Sequence, residues 1–351
     1  MYITKLGIKN FKSYMDEELE FKKITLLTGL NGAGKSTVFQ ALRMFWQLKS
    51  KGHFVLNQYG ELSTLKNKNA RDEDFFLTLD IEEERIYEIL HNSKDHISGE
   101  VGEFSIFKKK TKDINFAYIS ANRLGPTEFQ HIRNDNVIIN NNVGVNGEYT
   151  LDVLNRYSDA VLPDEFKDDV APKKNDLITH VEKWLQEISP NVKLDTELNK
   201  KMNVASFTIN GFTPLNVGFG VSYTLSIIVQ LLYSILLLKN HSMKTVLLIE
   251  NPEAHLHPKG QTKIAEFIAK IANYGVQVIV ETHSDYILDG LRLSVKEDGK
   301  INHEDTKLYY FALNAEGNTE VKSPQIDKDG YLDEWPENFF DTSINNKMNL
   351  A

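Results

Sequence analysis

The sequence of 351 residues contains no cysteine, and this absence excludes disulfides, thiolate metal sites and cysteine nucleophiles. The lack of cysteine also fits a reducing compartment, and we expect the protein to be cytoplasmic. Only nine prolines are present and aromatic residues make up 10% of the chain, a composition that argues against long disordered segments. The formal net charge of −9 argues against unspecific coating of nucleic acid but leaves a local basic groove open.

No apolar run is long enough to predict a membrane-spanning segment. The longest, Leu225–Leu238, is interrupted by Ser226, Gln230 and Ser234 and falls short of the ~20 residues that cross a bilayer. We interpret this run as a buried helix and expect no membrane partner. No signal peptide is predicted either, because charged and polar residues follow directly after Met1–Ile8.

Strand and helix patterns alternate along much of the chain, and this order predicts an α/β fold with a mostly parallel sheet. The length suggests two domains, or one large α/β domain with an insertion. Residues 54–118 instead alternate short apolar and polar runs, which is typical of an antiparallel sheet. The predicted strands and helices of the core are Lys23–Thr28, Ser36–Leu48, Tyr223–Leu238, Thr245–Ile249, Gln261–Ala272 and Val276–Val280.

Four segments are predicted from these patterns. Residues 1–120 hold a glycine-rich loop and the antiparallel lobe. Residues 121–203 are rich in Asn, Asp and Lys and form a helical or irregular insertion, with one clear helix at Leu177–Ile188. Residues 204–322 return to the alternating core, and residues 323–351 form a short polar tail with aromatic anchors.

The glycine-rich loop Gly29–Ser36 (GLNGAGKS) fits the pattern G-x-x-x-x-G-K-[ST] at every defined position. Glycines let the backbone curl so that successive N–H groups point at phosphate oxygens, and the helix that follows adds its positive dipole end. Lys35 then reaches the β and γ phosphates of ATP, and Ser36 offers its hydroxyl to Mg²⁺. A plain glycine-rich turn is the alternative, but the apolar strand before the loop and the helix after it favour nucleotide binding.

Two buried strands deliver polar groups at their carboxyl ends, where α/β sheets bind ligands. Val246–Glu250 ends in a carboxylate, and an acid at this place in P-loop ATPases orders Mg²⁺. The next residue, Asn251, cannot take a proton from water at neutral pH, as a glutamate could. Glu253 is therefore the candidate to accept that proton instead. The second strand, Val278–Glu281, leads to His283, which could donate a hydrogen bond to the γ-phosphate or to the attacking water. The alternative is that these polar residues simply begin loops.

His255 and His257 follow the acidic strand with one residue between them. This spacing places both rings on one face only in an extended segment, and no third metal ligand is obvious. We therefore favour a phosphate-sensing or dimer-contacting loop over a zinc site.

Together these residues resemble the ABC-type ATPase heads of the RecF, Rad-fifty/SMC and OLD group. The likeness is closest to bacterial AAA-family ATPases of the OLD-like class that end in a short C-terminal domain of unknown function. The motifs that carry it are Ile8–Tyr14 (IKNFKSY), Gly29–Ser36, Ile249–Pro258 (IENPEAHLHP) and Glu281–Asp285 (ETHSD), and further similar stretches are Tyr118–Pro126 around Arg123, Val143–Tyr149 and Asp333–Asp341.

The resemblance implies an ABC-type head with a P-loop sheet core, an N-terminal antiparallel β lobe and a helical insertion. It also implies a homodimer, or a higher oligomer, in which each ATP is closed by a signature loop from the other subunit. Gly218–Ser222 is the candidate loop, with Ser222 as its serine; a strand-to-helix turn is the alternative. The nucleotide contacts that the resemblance implies are Lys12, Ser13, Asn31, Gly32, Ala33, Gly34, Lys35, Ser36, Thr37 and Ser222.

The catalytic roles implied by the resemblance start with Ser36 and Glu250 as ligands of Mg²⁺. Asn251 stands where ABC ATPases have their catalytic glutamate, which implies hydrolysis that is slow or partner-dependent. For the glutamine of a Q-loop, Gln58 is a weak candidate. The residues to which the resemblance gives a catalytic role are Lys35, Glu250, Asn251, Glu253 and His283.

Little sequence follows His283, and Asp327–Asp329 follows no buried strand, so we expect no Toprim nuclease of the OLD type in this chain. Because relatives of this kind often act in phage defence, the resemblance implies an ATP-driven dimeric switch that controls a separate nuclease or toxin. One alternative is a RecF-like repair ATPase that binds DNA, for which the basic run Lys108–Lys112 gives faint support. Another is an ATP-gated scaffold that does not hydrolyse, as Asn251 would allow.

Overall fold

The structure is a computed structural model that describes residues 2–51, 56, 62–71, 74–91, 104–108, 114–133, 142–167, 174–296 and 300–336. The chain forms two compact units. Unit 1 comprises Met1–Asp113, Thr306–Asp327 and Leu332–Ala351, and unit 2 comprises Ile114–Asp305 and Lys328–Tyr331.

The strands are β1 (Ile3–Phe11), β2 (Tyr14–Glu20), β3 (Ile24–Gly29), β4 (Phe75–Ile81), β5 (Glu84–His91), β6 (Phe104–Lys108), β7 (Ile114–Ile119), β8 (Gln130–His131), β9 (Leu194–Asn199), β10 (Val204–Ile209), β11 (Lys244–Glu250), β12 (Gln277–Glu281), β13 (Thr306–Leu313) and β14 (Thr319–Lys322). The helices are α1 (Lys35–Lys51), α2 (Thr150–Tyr157), α3 (Leu177–Ile188), α4 (Phe219–His241), α5 (Pro258–Tyr274) and α6 (Asp285–Lys296). An α/β architecture with parallel strand pairs confirms the predicted fold class.

Unit 1 contains an antiparallel sheet of five strands in the order β2-β1-β4-β5-β6. Alternate residues of β4 are buried, which is the pattern of a strand with one face on a core. The antiparallel pairing of β4, β5 and β6 agrees with the pattern over residues 54–118, but no pattern predicted β2, an acidic strand in which only Tyr14 and Leu19 are buried. It forms because the turn at Lys12 folds it back on β1, where Leu6 pairs with Leu19.

Unit 1 also contains the strand that leads into the glycine-rich loop. The strand β3 is buried along most of its length and runs parallel to β13, while β14 is antiparallel to β13. At the end of β3, Gly29 lies beside Phe311 of β13, and a Cβ at Gly29 would lie 2.2 Å from the Phe311 carbonyl oxygen. Only glycine therefore allows this approach of the two backbones.

Unit 2 has a core of three parallel strands, in which β11 lies between β7 and β12. The prediction of an antiparallel sheet over 54–118 is wrong for β7, because Ile114–Ile119 pairs in parallel with β11. Its run of buried residues is typical of a parallel strand covered on both faces. In the register of β11 and β12, Glu250 is paired with Glu281, so both strands end at the same edge.

The helix α4 is long and apolar enough to cross a membrane, but nearly all of it is buried within the structure, as is expected of a core helix. It begins at Phe219, earlier than the predicted start at Tyr223, because Gly218 serves as its N-cap. The segment predicted as a helical insertion contains α2 and α3, the latter with the predicted bounds. This segment also supplies β8 and β9, which pair on either side of β10.

Candidate nucleotide-binding site

The glycine-rich loop joins β3 to α1 in unit 1, as the sequence predicts. Its backbone curls through Gly32 and Gly34, whose φ angles of +75° and +107° favour glycine. The side chain of Lys35 is buried, and its Nζ donates hydrogen bonds to the carbonyl oxygens of Gly29 at 2.9 Å and Leu30 at 2.7 Å. These two hydrogen bonds hold the ammonium group against the backbone of the curled loop.

Several properties of this loop fit a phosphate chain with its magnesium ion. The first turn of α1 contains no acidic residue, so no carboxylate opposes an anion at this helix end. A Cβ at Gly32 would meet no atom of the described residues within 4 Å, so these residues leave the rim of the loop open. Asn31, Gly32 and Ser36 are exposed along this rim, whereas Ala33 and Thr37 are buried. The Ser36 hydroxyl is a hard oxygen donor of the kind that Mg²⁺ prefers.

Lys12 and Ser13 form the tight turn between β1 and β2. Lys12 adopts a left-handed φ of 52°, and its Nζ donates to Oε1 of Gln40 at 2.7 Å. Burial lowers the pKa of Lys12. Gln40 is 1% exposed, and no residue that the structure describes hydrogen-bonds its Nε2. Both predicted residues therefore lie in unit 1, beside the first turns of the helix that follows the loop.

Glu250 ends β11 in unit 2, and the unit's own donors orient its carboxylate. The hydroxyl of Tyr118 donates to Oε1 at 2.8 Å, and the backbone N–H of Ala121 donates to Oε2 at 2.8 Å. Each carboxylate oxygen can accept a further contact, so this orientation is compatible with a role near a metal.

Arg123 holds the turn after Glu250, a role that the sequence pattern did not reveal. It is 3% exposed and donates to the carbonyl oxygens of Ser120 at 2.9 Å, Glu250 at 2.6 Å and Asn251 at 2.7 Å. Burial lowers the pKa of Arg123 to about 10, against the raising effect of nearby Glu253. The guanidinium therefore stays charged at neutral pH. The only sequence signal was its place in the stretch Tyr118–Pro126.

The stretch around Arg123 is joined by backbone hydrogen bonds to the second stretch singled out in the sequence, Val143–Tyr149. The N–H of Ser120 donates to Val145 at 2.9 Å, and the N–H of Leu124 donates to Asn146 at 2.8 Å. The two segments are thus held together, and the first of them contacts the end of β11 through Arg123.

Asn251 and Glu253 occupy different environments in the turn that follows. Asn251 has a left-handed φ of 45°, which asparagine tolerates better than most residues, and its N–H donates to Glu281 at 2.8 Å. Glu253 accepts a hydrogen bond from the backbone N–H of His283 at 2.8 Å through Oε1. Among the described residues its buried Oε2 has no hydrogen-bond partner, and burial raises the pKa of this carboxyl against the lowering effect of the hydrogen bond from His283. The side chain of His283 is exposed.

The predicted signature loop, Gly218–Ser222, is largely helical rather than a loop. Because α4 begins at Phe219, Ser222 lies inside its first turns and not at the position that caps them. Ser222 is 9% exposed, and its Oγ has no hydrogen-bond partner within the described ranges. Gly220 packs against the next motif, since a Cβ there would lie 2.7 Å from the carbonyl oxygen of His255.

The two histidines of this motif have separate roles. The ring of His255 packs against Tyr223 with centroids 4.5 Å apart, and its φ of 63° excludes an extended segment. His257 is the N-cap of α5, where its Nδ1 accepts from the N–H of Lys259. Within the described ranges, no three or more His, Asp or Glu residues form a group that could hold a metal ion.

Some predicted features lie outside the described residues. They are Gln58, the basic run from Lys109 to Lys112 and the end of the tail, residues 337–351.

Arg123→Ala is expected to lower the free energy of unfolding by about 2–4 kcal/mol, because three carbonyl groups lose a charged donor and a cavity forms. Urea denaturation followed by circular dichroism measures the change. Arg292→Ala is the matched control in the same unit, because Arg292 bonds to Gly330 and Asp289 near the surface and should contribute less than about 1 kcal/mol. Equal, small losses in both variants would contradict the role given to Arg123.

Comparison with known proteins places the chain among ATPases. The family described as "AAA domain, putative AbiEii toxin, Type IV TA system" matches residues 24–289, well over half of the chain. Residues 301–350 match a family described as "Protein of unknown function (DUF3696)". The DNA replication and repair protein RecF of Synechocystis sp. is 41% identical over 51 residues, which are 14% of this chain and 13% of RecF. This match thus spans a small part of that relative's length.

Solved structures of SMC heads share the fold over nearly the whole chain. An SMC head bound to the C-winged helix domain of ScpA has a TM-score of 0.56 at 15% identity, covering 93% of this chain and 99% of that one. An SMC head with an extended coiled coil, bound to the C-terminal domain of ScpA derived from Pyrococcus furiosus, has a TM-score of 0.52 at 13% identity, covering 99% of both chains. The matched family, the phosphate loop and this fold confirm the resemblance found in the sequence: the chain belongs to the AAA-domain family matched over residues 24–289 and has the fold of an ABC-type P-loop ATPase.

Proposed function

We propose that this protein binds ATP with Mg²⁺ and hydrolyses it, slowly or under the control of a partner. The observation that carries the proposal is the complete phosphate loop between β3 and α1, with Lys35 buried beneath an open rim. Its geometry suits an anion, and membership of an ATPase family supports ATP as that anion.

In the binding step, Lys35 exchanges the carbonyl oxygens of Gly29 and Leu30 for phosphate oxygens. The N–H groups of the loop and the first turn of α1 contribute partial positive charge, which is effective because it is fixed in place before binding. Bound magnesium supplies further neutralisation of the phosphate charge. The residues proposed to line this site are Lys12, Ser13, Asn31, Gly32, Ala33, Gly34, Lys35, Ser36 and Thr37.

In the hydrolytic step, we assign the acid that orders magnesium to Glu250 and the general base to Glu253. Asn251 has no basic side chain, whereas Glu253 has a buried carboxylate oxygen that no described residue hydrogen-bonds. A carboxyl group whose pKa is raised by burial is a better base near neutral pH than an ordinary glutamate. His283 is assigned the contact with the γ-phosphate or the attacking water, since its side chain is exposed at the end of β12.

The nucleotide is proposed to drive association of two copies of this chain. Ser222 supports this assignment, because its hydroxyl lies near the N-terminus of a long helix and has no hydrogen-bond partner in the part of the chain that the structure describes. Phe219, in the first turn of the same helix, is 55% exposed. Phe219 would become buried against a second copy, whereas Ser222 is already buried beside it in the first turns of the helix.

The biological role we propose is a cytoplasmic switch that controls a separate effector, such as a nuclease or toxin, in antiviral defence. The description of the matched family, which names a toxin–antitoxin system, supports this role. Expression together with neighbouring genes should lower phage plating efficiency, and Lys35→Ala should abolish that protection. Protection that does not depend on Lys35 would contradict the switch.

Equilibrium binding and phosphate release test the biochemical proposal directly. We expect ATP to bind in the micromolar range with Mg²⁺, phosphate release to be slow, and light scattering to show dimers only when ATP and Mg²⁺ are present. A protein that binds no ATP under these conditions contradicts the proposal. Tight binding without phosphate release in a single-turnover assay would instead favour the ATP-gated scaffold.

A second candidate is a repair ATPase that binds DNA, favoured by the local identity with RecF. Duplex DNA would then bind more tightly with ATP, and the affinity would fall steeply as salt increases. The absence of any shift in a low-salt binding assay would exclude this candidate.

A further inference from the structure

Two side chains from outside the phosphate loop donate hydrogen bonds to its backbone carbonyl groups. The hydroxyl of Thr319, at the start of β14, donates to the carbonyl oxygen of Ala33 at 3.0 Å. The hydroxyl of Tyr14, at the start of β2, donates to the carbonyl oxygen of Gly34 at 2.9 Å. Both side chains are buried. All four residues belong to unit 1.

These two contacts orient two consecutive peptide groups, the second together with the backbone N–H of Thr37, which also donates to the carbonyl oxygen of Gly34 at 3.0 Å. In a planar trans peptide, the N–H of the next residue points opposite to the C=O. The bond to Ala33 therefore turns the N–H of Gly34 away from Thr319, and the bond to Gly34 turns the N–H of Lys35 away from Tyr14. A phosphate loop works by pointing such N–H groups at phosphate oxygens, so their direction is part of the binding site.

Ser13 extends the contact into a short chain of hydroxyl groups. Its Oγ lies 2.6 Å from Oγ1 of Thr319, and its carbonyl oxygen accepts from the N–H of Thr319 at 2.7 Å. A threonine hydroxyl has one proton, which Thr319 gives to Ala33, so Ser13 must be the donor to Thr319. Hydrogen bonds in such a chain polarise and strengthen one another. Ser13 thus acts on the loop through Thr319.

Packing around Gly34 shows that this arrangement is built closely around the loop. A Cβ on Gly34 would lie 2.6 Å from Oγ1 of Thr319 and 2.9 Å from a ring carbon of Tyr14. The two hydroxyl-bearing side chains therefore occupy the space that any larger residue would need. The glycine of the sequence pattern is required here by its neighbours as well as by its φ of +107°.

Hydrogen bonds from Asn67 hold the turn that precedes Thr319. Asn67 donates from Nδ2 to the backbone oxygen of Tyr14 at 3.2 Å and to Oδ1 of Asn318 at 3.2 Å. It is 2% exposed, so this link between the two flanking segments is a buried one. The turn before β14 is thereby tied to the same place as the start of β2.

We propose that Tyr14 and Thr319 are positioning residues that orient the peptide groups of the phosphate loop for binding the phosphate chain of the nucleotide. The inference rests on the proposed ATP binding and adds that the hairpin of β13 and β14, remote in sequence from the loop, determines its affinity. Neither hydroxyl needs to contact the nucleotide itself.

Thr319→Val tests the proposal because it removes the hydroxyl with little change in shape. We expect the affinity for ATP to fall by about 5- to 10-fold, the loss typical of one hydrogen bond. Competition by inorganic tripolyphosphate should weaken by the same factor, because the loop binds only the phosphate chain. Thr319→Ser, which keeps the hydroxyl, should restore both affinities, and Tyr14→Phe should reproduce the loss.

Ser323→Ala is the matched control, because its hydroxyl donates to the carbonyl of Leu308 at the far end of the same hairpin. It should leave the affinity unchanged. The thermal midpoint without nucleotide should fall by at most a few degrees in Thr319→Val and Tyr14→Phe, and measuring affinity at a temperature where every variant is folded separates positioning from general destabilisation. Unchanged affinity in both Thr319→Val and Tyr14→Phe, with binding lost only in Lys35→Ala, would overturn this inference while leaving ATP binding intact. A wild-type protein that binds no ATP would overturn both.

Discussion

Lys35→Ala is expected to weaken ATP binding by about 100-fold or more, which would place it beyond detection in most equilibrium assays. The physical reason is that an ammonium group contributes several charge-assisted hydrogen bonds, each worth about 1.5–3 kcal/mol where water is excluded. Because Lys35 is 3% exposed and already held by the carbonyl oxygens of Gly29 and Leu30, little freedom is lost when the phosphate arrives. Isothermal titration calorimetry with ATP and Mg²⁺ measures the change, and thermal stabilisation by ATP should disappear with it.

Lys9→Ala provides a control in the same unit, since Lys9 lies on β1 and its ion pair with Asp16 is long, at 3.7 Å, and exposed. Its affinity for ATP should equal that of the wild type. If Lys35→Ala and Lys9→Ala bind ATP equally well, the loop is a structural turn and the nucleotide site lies elsewhere.

The phosphate loop could be predicted from sequence because its requirements are local. The glycines, the lysine and the flanking strand and helix all lie within one short segment, and the structure places Lys35 at the start of α1. The buried strands β11 and β12 were recognised for a similar reason, since a run of apolar residues with a polar end is visible without any knowledge of the fold.

What the sequence did not predict depends on contacts between remote segments. The acidic strand β2 has only two buried residues, so its existence depends on pairing with β1. Arg123 bonds to carbonyl oxygens of a turn on β11, and backbone carbonyl groups leave no trace in a sequence pattern. The bond from Thr319 to Ala33 joins residues separated by 286 positions. Such roles become visible only when the chain is folded.

The start of α4 shows how a resemblance can mislead in detail. The signature motif of related ATPases suggested a loop that ends at Ser222. A helix needs only a suitable N-cap, and Gly218 provides one, so the helix takes in Phe219 and the residues that follow. Ser222 is a helical residue, but none of the described residues hydrogen-bonds its Oγ. The proposed contact of Ser222 with a second copy of the chain therefore stays a proposal.

Glu253→Gln is expected to reduce the rate of ATP hydrolysis by about 100-fold or more, which is the usual contribution of a general base. ATP affinity should change little, because glutamine can still accept the hydrogen bond from the N–H of His283. In the wild type, kcat should fall as the pH is lowered through the raised pKa of Glu253, since protonation removes the base. Phosphate release measured between pH 5 and 9 gives both results.

Glu253→Gln is expected to raise the free energy of unfolding although it lowers the rate of hydrolysis. Burial raises the pKa of this carboxyl in the folded protein, so folding favours its neutral form. Its contribution to stability is therefore present below the pKa of the unfolded chain and is lost as pH rises through the folded value. At pH 7, Glu253→Gln should raise the free energy of unfolding, whereas loss of activity by misfolding would lower it.

Asn251→Glu distinguishes the two candidate bases. The left-handed φ of 45° at Asn251 disfavours glutamate, so the substitution should cost about 1 kcal/mol in stability. If Glu253 is the base, the added carboxyl should not raise turnover. Asn251→Gly, which tolerates the same φ, is the matched control for stability. A large rise in kcat for Asn251→Glu, combined with full activity of Glu253→Gln, would transfer the role of the base to position 251 and would make Asn251 the cause of slow hydrolysis.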